Sequence, residues 1–198
     1  IALQIYPEEQ PSWFFVLKDT FFLPTVKRHK PVLWLFLMAF HISFLLLIVG
    51  HIELIKKFTI FQIIPHEVFL GKGFIGVILA VCLLYFLFRR LFPPVKDLSI
   101  PSDYFLLILL FIVVLFGSQM DWARTWYGYE VLSIEDYNTY LQSLITLKPD
   151  VPDNATMSGH SFMLIIHVFF ANIFLIYFPF SSIIHSIFAI PMNKLRRG

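Results

Sequence analysis

"HISFLLLIVGH", His41–His51, places a histidine at each end of an otherwise apolar run. The run lies inside a longer uncharged segment, Pro31 to about Ile52. That length suffices to cross a bilayer, which takes about 20 apolar residues. An imidazole there must find a partner, because ionisable groups inside a membrane are costly and are usually functional. The whole chain carries the same apolar surplus: 58% of its 198 residues are hydrophobic and 14% are charged. Soluble domains average about 45–50% apolar and roughly 25% charged residues. The surplus exceeds what one globular core can bury, so the chain is expected to be an all-α integral membrane protein.

Three further segments can span a bilayer, at about 73–88, 104–120 and 161–187. With 31–52 they predict four transmembrane helices. Pro179, in "YFPFSS", lies within the last and should kink or locally unwind it. Charge orients the helices. "KRHK" (Lys27–Lys30), "FRRLFPPVK" (Phe88–Lys96) and "NKLRRG" (Asn193–Gly198) hold nine of the fifteen Lys and Arg residues. The positive-inside rule puts these three segments in the cytoplasm. The outer side then carries Lys56, Lys57, Lys72, Arg124 and Lys148 in longer loops with several acids.

Three connecting regions have helical or interfacial character. "SWFFVLKDTFFL" (Ser12–Leu23) suits a helix on the inner interface, and "IELIKKFTIFQIIPHEVFLGK" (Ile52–Lys72) should hug the outer one. "SIEDYNTYLQSLITLKP" (Ser133–Pro149) predicts an amphipathic helix capped by Ser133, with Glu135 and Asp136 in its first turn. The chain is expected to be one domain: an inner-side segment 1–30, the four spans, and an outer loop 121–160 holding the amphipathic helix. Cys82 is the one cysteine, which excludes an internal disulfide and a Cys-ligated iron–sulfur cluster built by this chain alone. No pattern in the sequence points to nucleic acid; the bilayer is the expected environment.

Four of seven histidines fall on two spans: His41 and His51 on the first, His167 and His185 on the last. Ten residues of helix rise about 15 Å and turn the second side chain roughly 80° from the first. Eighteen residues of unbroken helix rise about 27 Å and make five turns, so His167 and His185 are expected to point the same way. The first span runs outward and the last inward. The natural couples are therefore His41 with His185, inner, and His51 with His167, outer. The two rises differ by about 12 Å, which tilt and the Pro179 irregularity must absorb. Zinc wants four ligands and no third or fourth candidate lies at these depths. A haem iron brings four nitrogens and lacks two axial ligands, so two couples suit two b-type haems. Both axial positions are then filled, which favours electron transfer over oxygen binding. No C-x-x-C-H motif is present for covalent attachment.

"FHISFLLLIVGH", "FRRLFPPV" and "IHVFFANIFLIYFPFSSIIHS" resemble the di-haem membrane cytochrome b family typified by the gamma subunit of respiratory nitrate reductase. The resemblance covers Pro31 to the C-terminus. It implies the same two histidine couples. Within the family, "FHISFLLLIVGHIELIKKF", "IPSDYFLLILL" and "YLQSLITLKPD" resemble membrane cytochromes that accompany heterodisulfide-reductase-like iron–sulfur subunits, including that of the dissimilatory sulfite-reduction-associated complex. Such relatives have an extra N-terminal span, and "IALQIY" (Ile1–Tyr6) could be its inner end.

The resemblance implies menaquinol as substrate, oxidised near the outer haem, and an iron–sulfur heterodisulfide-reductase-like partner on the cytoplasmic side. Further membrane and periplasmic cytochrome subunits are possible companions, in a prokaryotic cell membrane. Quinone reduction uses the same parts in reverse. Lys72, which opens the second span, is the candidate for a quinone oxygen or an outer-haem propionate; a snorkelling interfacial lysine is the competing role. Gly50, beside His51, would let a haem edge or a quinone approach the backbone, or simply pack helices. Arg89 and Arg90 are candidates for inner-haem propionates, against a role as positive-inside anchors. His66 and His160 are candidate proton relays, and "NAT" at Asn154 is a glycosylation sequon. The rival functions are a nitrate-reductase-type gamma subunit, a haem-free histidine-dependent proton or ion transporter, and a purely structural membrane anchor.

Overall fold

The computed structural model describes residues 13–55, 71–129, 132–153 and 161–196. Ile1–Tyr6, expected as the inner end of an N-terminal span, most of the outer-interface segment Ile52–Lys72, His66, Asn154 and His160 lie outside the described residues.

Among the described residues the chain is helical and has no strand. The helices are α1 (Trp13–Phe22), α2 (Pro24–His29), α3 (Pro31–Ile55), α4 (Phe74–Arg90), α5 (Pro101–Tyr127), α6 (Ile134–Ile145), α7 (Ser161–Tyr177) and α8 (His185–Arg196). Pro24, Pro31 and Pro101 each open a helix, where the missing N–H is no loss. Among the described residues three helical stretches are long and apolar enough to cross a membrane: Pro31–Ile52, Pro101–Tyr127 and Phe162–Phe180. Large apolar side chains stand exposed along them, among them Leu45, Ile108, Ile165 and Phe169. Such a surface belongs in lipid, and the chain is a multi-pass membrane protein. α4, the expected second span, has 17 residues and rises about 25 Å.

The contacts divide the chain into two compact units, one of Ile1–Met38 with Ile176–Gly198 and one of Ala39–Leu175. In the first unit α1 packs on α8 around Val16, which is buried. Asn193 donates to Thr20 at 2.9 Å, and the Lys194 ammonium stands 5.4 Å from the centre of the Trp13 ring. Trp34 donates its indole N–H to the Phe22 carbonyl at 2.7 Å, satisfying one of the carbonyls that end α1.

In the second unit α4 and α5 form a tight hairpin. Leu79, Cys82 and Leu83 of α4 are buried with Leu106, Leu109, Leu110 and Val114 of α5. The pair is antiparallel because both ends are pinned. At one end Tyr104 donates to the Arg90 carbonyl at 2.6 Å, and Arg90 pairs with Asp103 at 2.9 Å. At the other, Trp122 donates to the Gly73 carbonyl at 2.8 Å. Close to that end, Gly76 faces Ser118 so closely that a Cβ there would collide with the serine side chain. α3 joins the hairpin through Phe40 against Phe86, with ring centres 5.7 Å apart.

Two expectations change. α5 runs seven residues past Met120, because Asp121, Trp122, Arg124 and Trp126 all find partners there. It ends where Gly128 turns left-handed at φ 64°, the usual glycine stop. The last span is not one helix. It stops at Tyr177, passes through the single turns Phe178–Phe180 and Ser182–Ile184, and resumes at His185. Pro179 has no N–H for the ladder and its ring crowds the preceding turn. Ser181 takes over, donating to the Phe178 carbonyl at 2.8 Å and accepting from the Ile183 N–H at 3.3 Å. The five-turn arithmetic linking His167 to His185 therefore fails, while the disruption expected at Pro179 is present.

Candidate functional site

The amphipathic helix appears as α6, and its start shows how local sequence fixes it. Ser133 accepts from the Asp136 N–H at 3.1 Å, and the Asp136 carboxylate accepts from the Ser133 N–H at 3.1 Å, a reciprocal cap. Tyr137 of α6 then reaches Met120 of α5.

α3 is unbroken through Ile55, so the ten residues from His41 to His51 do rise about 15 Å. His51 meets His167 of α7, with ring centres 6.3 Å apart and planes tilted by 35°. His51 Nδ1 lies 2.8 Å from the Leu47 carbonyl, one turn back on its own helix. His167 Nδ1 lies 2.9 Å from the Val113 carbonyl of α5. A carbonyl only accepts, so each Nδ1 carries the proton and donates, and in the neutral ring the lone pair resides on Nε2. Metal-ligating histidines are oriented this way, one nitrogen held by a backbone carbonyl and the other turned to the metal. Two imidazole nitrogens each about 2 Å from one metal would hold their ring centres roughly 6 Å apart. The pair fits a metal that needs two ligands from the protein. Among the described residues no three of His, Cys, Asp and Glu converge on a point. The donor set thus suits an iron whose four other nitrogens come from a porphyrin.

Gly117 of α5 makes room for this pair. A Cβ on it would lie 2.8 Å from His167 Cε1 and 3.0 Å from Nδ1, closer than real contacts allow. Nothing in the sequence reading singled it out. Its signal was a glycine embedded in an apolar span, beside a serine, in "LFGSQ".

The other candidates are placed as follows. Gly50 is buried on α3 beside His51. His41, in the second unit, has its ring edge-on to Phe40 at 5.5 Å. His185 begins α8 in the first unit, and its Nδ1 donates to the Ser182 carbonyl at 2.7 Å, repeating the pattern of His51 and His167. Arg90 is engaged by Asp103 and by Ser99, at 3.1 Å, and so ties α4 to α5. Arg89 is half-buried in the same last turn.

Lys72 lies at the opposite end of the hairpin with its side chain exposed and its backbone left-handed, at φ 51°. Gly73 follows at φ 89°. Two tryptophans missed by the sequence reading hold this turn. Trp126 donates to the Lys72 carbonyl at 3.0 Å, Trp122 to that of Gly73, and the two indoles are parallel with centres 5.4 Å apart. Their spacing of four residues on one helix is what stacks them. Gly117 lies five residues, or about 7.5 Å of helix, below Trp122. The histidine pair is therefore nearer the Lys72 end of α5 than the Arg90 end.

Residues 28–198 match the family described as nitrate reductase gamma subunit. A protein of Archaeoglobus fulgidus named Hdr-like menaquinol oxidoreductase cytochrome b-like subunit is 30% identical over 184 residues, covering 86% of this chain and 53% of the relative. A protein of the same name in Archaeoglobus profundus is 26% identical over 168 residues, covering 77% and 46%. The chain spans about half the length of the curated relatives it matches. No solved structure matches it.

Proposed function

The chain belongs to the nitrate reductase gamma subunit family, and from that premise we propose that it is a membrane cytochrome b electron-transfer subunit with two b-type haems. Residues 1–198 form one such domain of four spans, with α4 as the second. The observation that carries the reading is the facing of His51 and His167 at 6.3 Å, each with its Nδ1–H turned to a backbone carbonyl. These two histidines hold the outer haem. His41 and His185 hold the inner one, and the Nδ1–H bond of His185 suits it to that role.

A haem b at each couple supplies a one-electron iron couple. The chain's residues do the rest. His51, His167 and His185 are each fixed in the tautomer that presents Nε2, and two histidines to each iron would leave no position for oxygen or substrate. Gly117 gives His167 its space, and the α4–α5 hairpin supplies the carbonyl that orients it. Lys72 hydrogen-bonds a quinone oxygen from the rigid turn that Trp122 and Trp126 hold.

The substrate is menaquinol, as the printed names of both Archaeoglobus relatives suggest. The printed names agree with a multi-subunit complex; in our reading its other member is a heterodisulfide-reductase-like iron–sulfur partner that docks on the basic segments Ser12–Lys30, Arg89–Lys96 and the C-terminus, in a sulfite- or sulfur-linked respiratory complex of a prokaryotic cell membrane. An electron moved inward across the whole membrane against 100 mV costs about 2.3 kcal/mol, so the acceptor must be correspondingly oxidising.

The test is haem content of the intact complex. Two haems b per chain are expected, with one lost in His51→Leu or His167→Leu and the other retained. A purified complex without haem absorption sinks the reading in favour of a histidine-dependent transporter. Quinol-linked electron transfer that survives both substitutions makes the chain a structural anchor.

A further inference from the structure

Arg124 is the least explained charged group in the described part of the chain. It lies in the last turn of α5 with its side chain only 16% exposed. Its Nη2 donates to Asp121 Oδ1 at 2.9 Å, and Thr125 donates to the same oxygen at 3.4 Å. Its Nε is fully buried and has no hydrogen-bond partner among the described residues. A desolvated guanidinium N–H without an acceptor is unfavourable and calls for one. The Asp121 pair does not remove the need, because the carboxylate leaves Nε unengaged.

The helical register says where that acceptor would lie. Arg124 follows Gly117 by seven residues, which puts both on one face of α5 within about 20° and about 10 Å apart along the axis. Gly117 is the contact point of His167. Helical side chains lean toward the N-terminus, and the bond to Asp121, three residues back, shows that Arg124 does so. Its guanidinium is thus laid along α5 toward the histidine pair. A porphyrin carries two carboxylates on one edge, and arginine is the residue best built to receive a carboxylate in a half-dry setting.

We propose that Arg124 is the positioning residue for the outer haem: its guanidinium, steered by Asp121, binds a propionate of the haem held by His51 and His167. The proposal rests on reading that couple as a haem site. It also decides between the two roles open to Lys72. Lys72 is exposed and Arg124 largely buried, so the propionate goes to Arg124 and the quinone oxygen to Lys72.

The experiment is an optical redox titration of the two haems in the intact complex. The outer component is identified as the one that His167→Leu removes. One positive charge about 10 Å from the iron, at an effective dielectric of about 20, favours the reduced form roughly tenfold. Arg124→Gln should therefore shift the outer component about tenfold toward oxidised, a fall of about 59 mV for one electron. Asp121→Asn removes the competing negative charge and should shift it the other way. The inner component should stay fixed in both. If Arg124→Gln does not accumulate, the Asp121→Asn shift decides. An outer potential unchanged in Arg124→Gln, or unchanged or lowered in Asp121→Asn, overturns the proposal. So does an outer potential that moves in Lys72→Gln and not in Arg124→Gln. Failure of the underlying haem reading looks different: His167→Leu then removes no component from the wild-type spectrum.

Discussion

The α4–α5 hairpin and the α3–α7 pair are both made of predominantly apolar helices and pack in opposite ways. The hairpin is welded along its length, with Leu79, Leu83, Leu109 and Leu110 buried and Gly76 pressed on Ser118. In the most apolar stretch of α5, 28% of residues are buried; in that of α7 none are, and in that of α3 6% are. α3 and α7 meet at His51 and His167. In lipid, apolar side chains gain little by leaving the tails for another helix, so association depends on close fit and polar contact. The hairpin uses close fit through small residues. The histidine helices face one another through two imidazoles whose ring centres stand 6.3 Å apart, and His167 takes its polar contact from the Val113 carbonyl of the hairpin. One pair is scaffold, the other is held where the scaffold puts it.

The strongest way to break this division is to damage the scaffold. Leu79 is fully buried between α4 and α5. Leu79→Ala leaves a cavity that costs about 2–5 kcal/mol. Unfolding in detergent should show that loss, and both haems should fall together, because the Val113 carbonyl that orients His167 and the Phe86 ring that packs on Phe40, beside His41, belong to the same hairpin. Loss of one haem alone would mean that the histidine helices stand without the scaffold.

A gentler pair of substitutions separates the regions. Gly117→Ala puts a methyl 2.8 Å from His167 Cε1 and must push the ring off the Val113 carbonyl. Losing such an orienting contact typically weakens metal binding about 10–100-fold. The outer haem should be partly lost at purification and the inner one kept, as pyridine haemochrome content and the visible spectrum would report. Gly76→Ala meets Ser118 instead. It should lower thermal stability by about 1–3 kcal/mol of overpacking strain while haem stoichiometry holds. Equal haem loss in both variants would erase the distinction.

The sequence made some of this legible for physical reasons. Long apolar runs announce helices in a membrane, and Pro31, Pro101 and Ser133 mark their starts by what their own backbone can or cannot do. Pro179 announced its break the same way. The meeting of His51 with His167 followed from chain direction alone. What stayed hidden is relational. Gly117 matters because of a ring on another helix, 50 residues later in the sequence. Trp122 and Trp126 matter because they reach carbonyls at Gly73 and Lys72. The extra turns of α5 exist because of those contacts. The angle between His167 and His185 could not be counted in turns, since Ser181 replaces the helix ladder with its own hydroxyl.

The smallest expected effect probes the place where scaffold meets chemistry. Trp126 holds the Lys72 carbonyl with its indole N–H at 3.0 Å and stacks on Trp122. Trp126→Phe keeps an aromatic ring and removes the donor, a loss of about 1 kcal/mol. Lys72 sits at φ 51°, a conformation that a non-glycine residue holds only when its surroundings impose it. Without the bond, the turn opens more often, and amide exchange around Gly71–Gly73 should rise about fivefold, the factor that 1 kcal/mol represents. Haem content and both potentials should not change, because Trp126 lies well above the histidine pair. If Lys72 binds the quinone, KM for a menaquinol analogue should rise severalfold with kcat nearly constant, since the lysine is mispositioned in part of the population and intact in the rest. Exchange that rises with no change in KM would leave the turn a structural clasp and remove Lys72 from the quinol site.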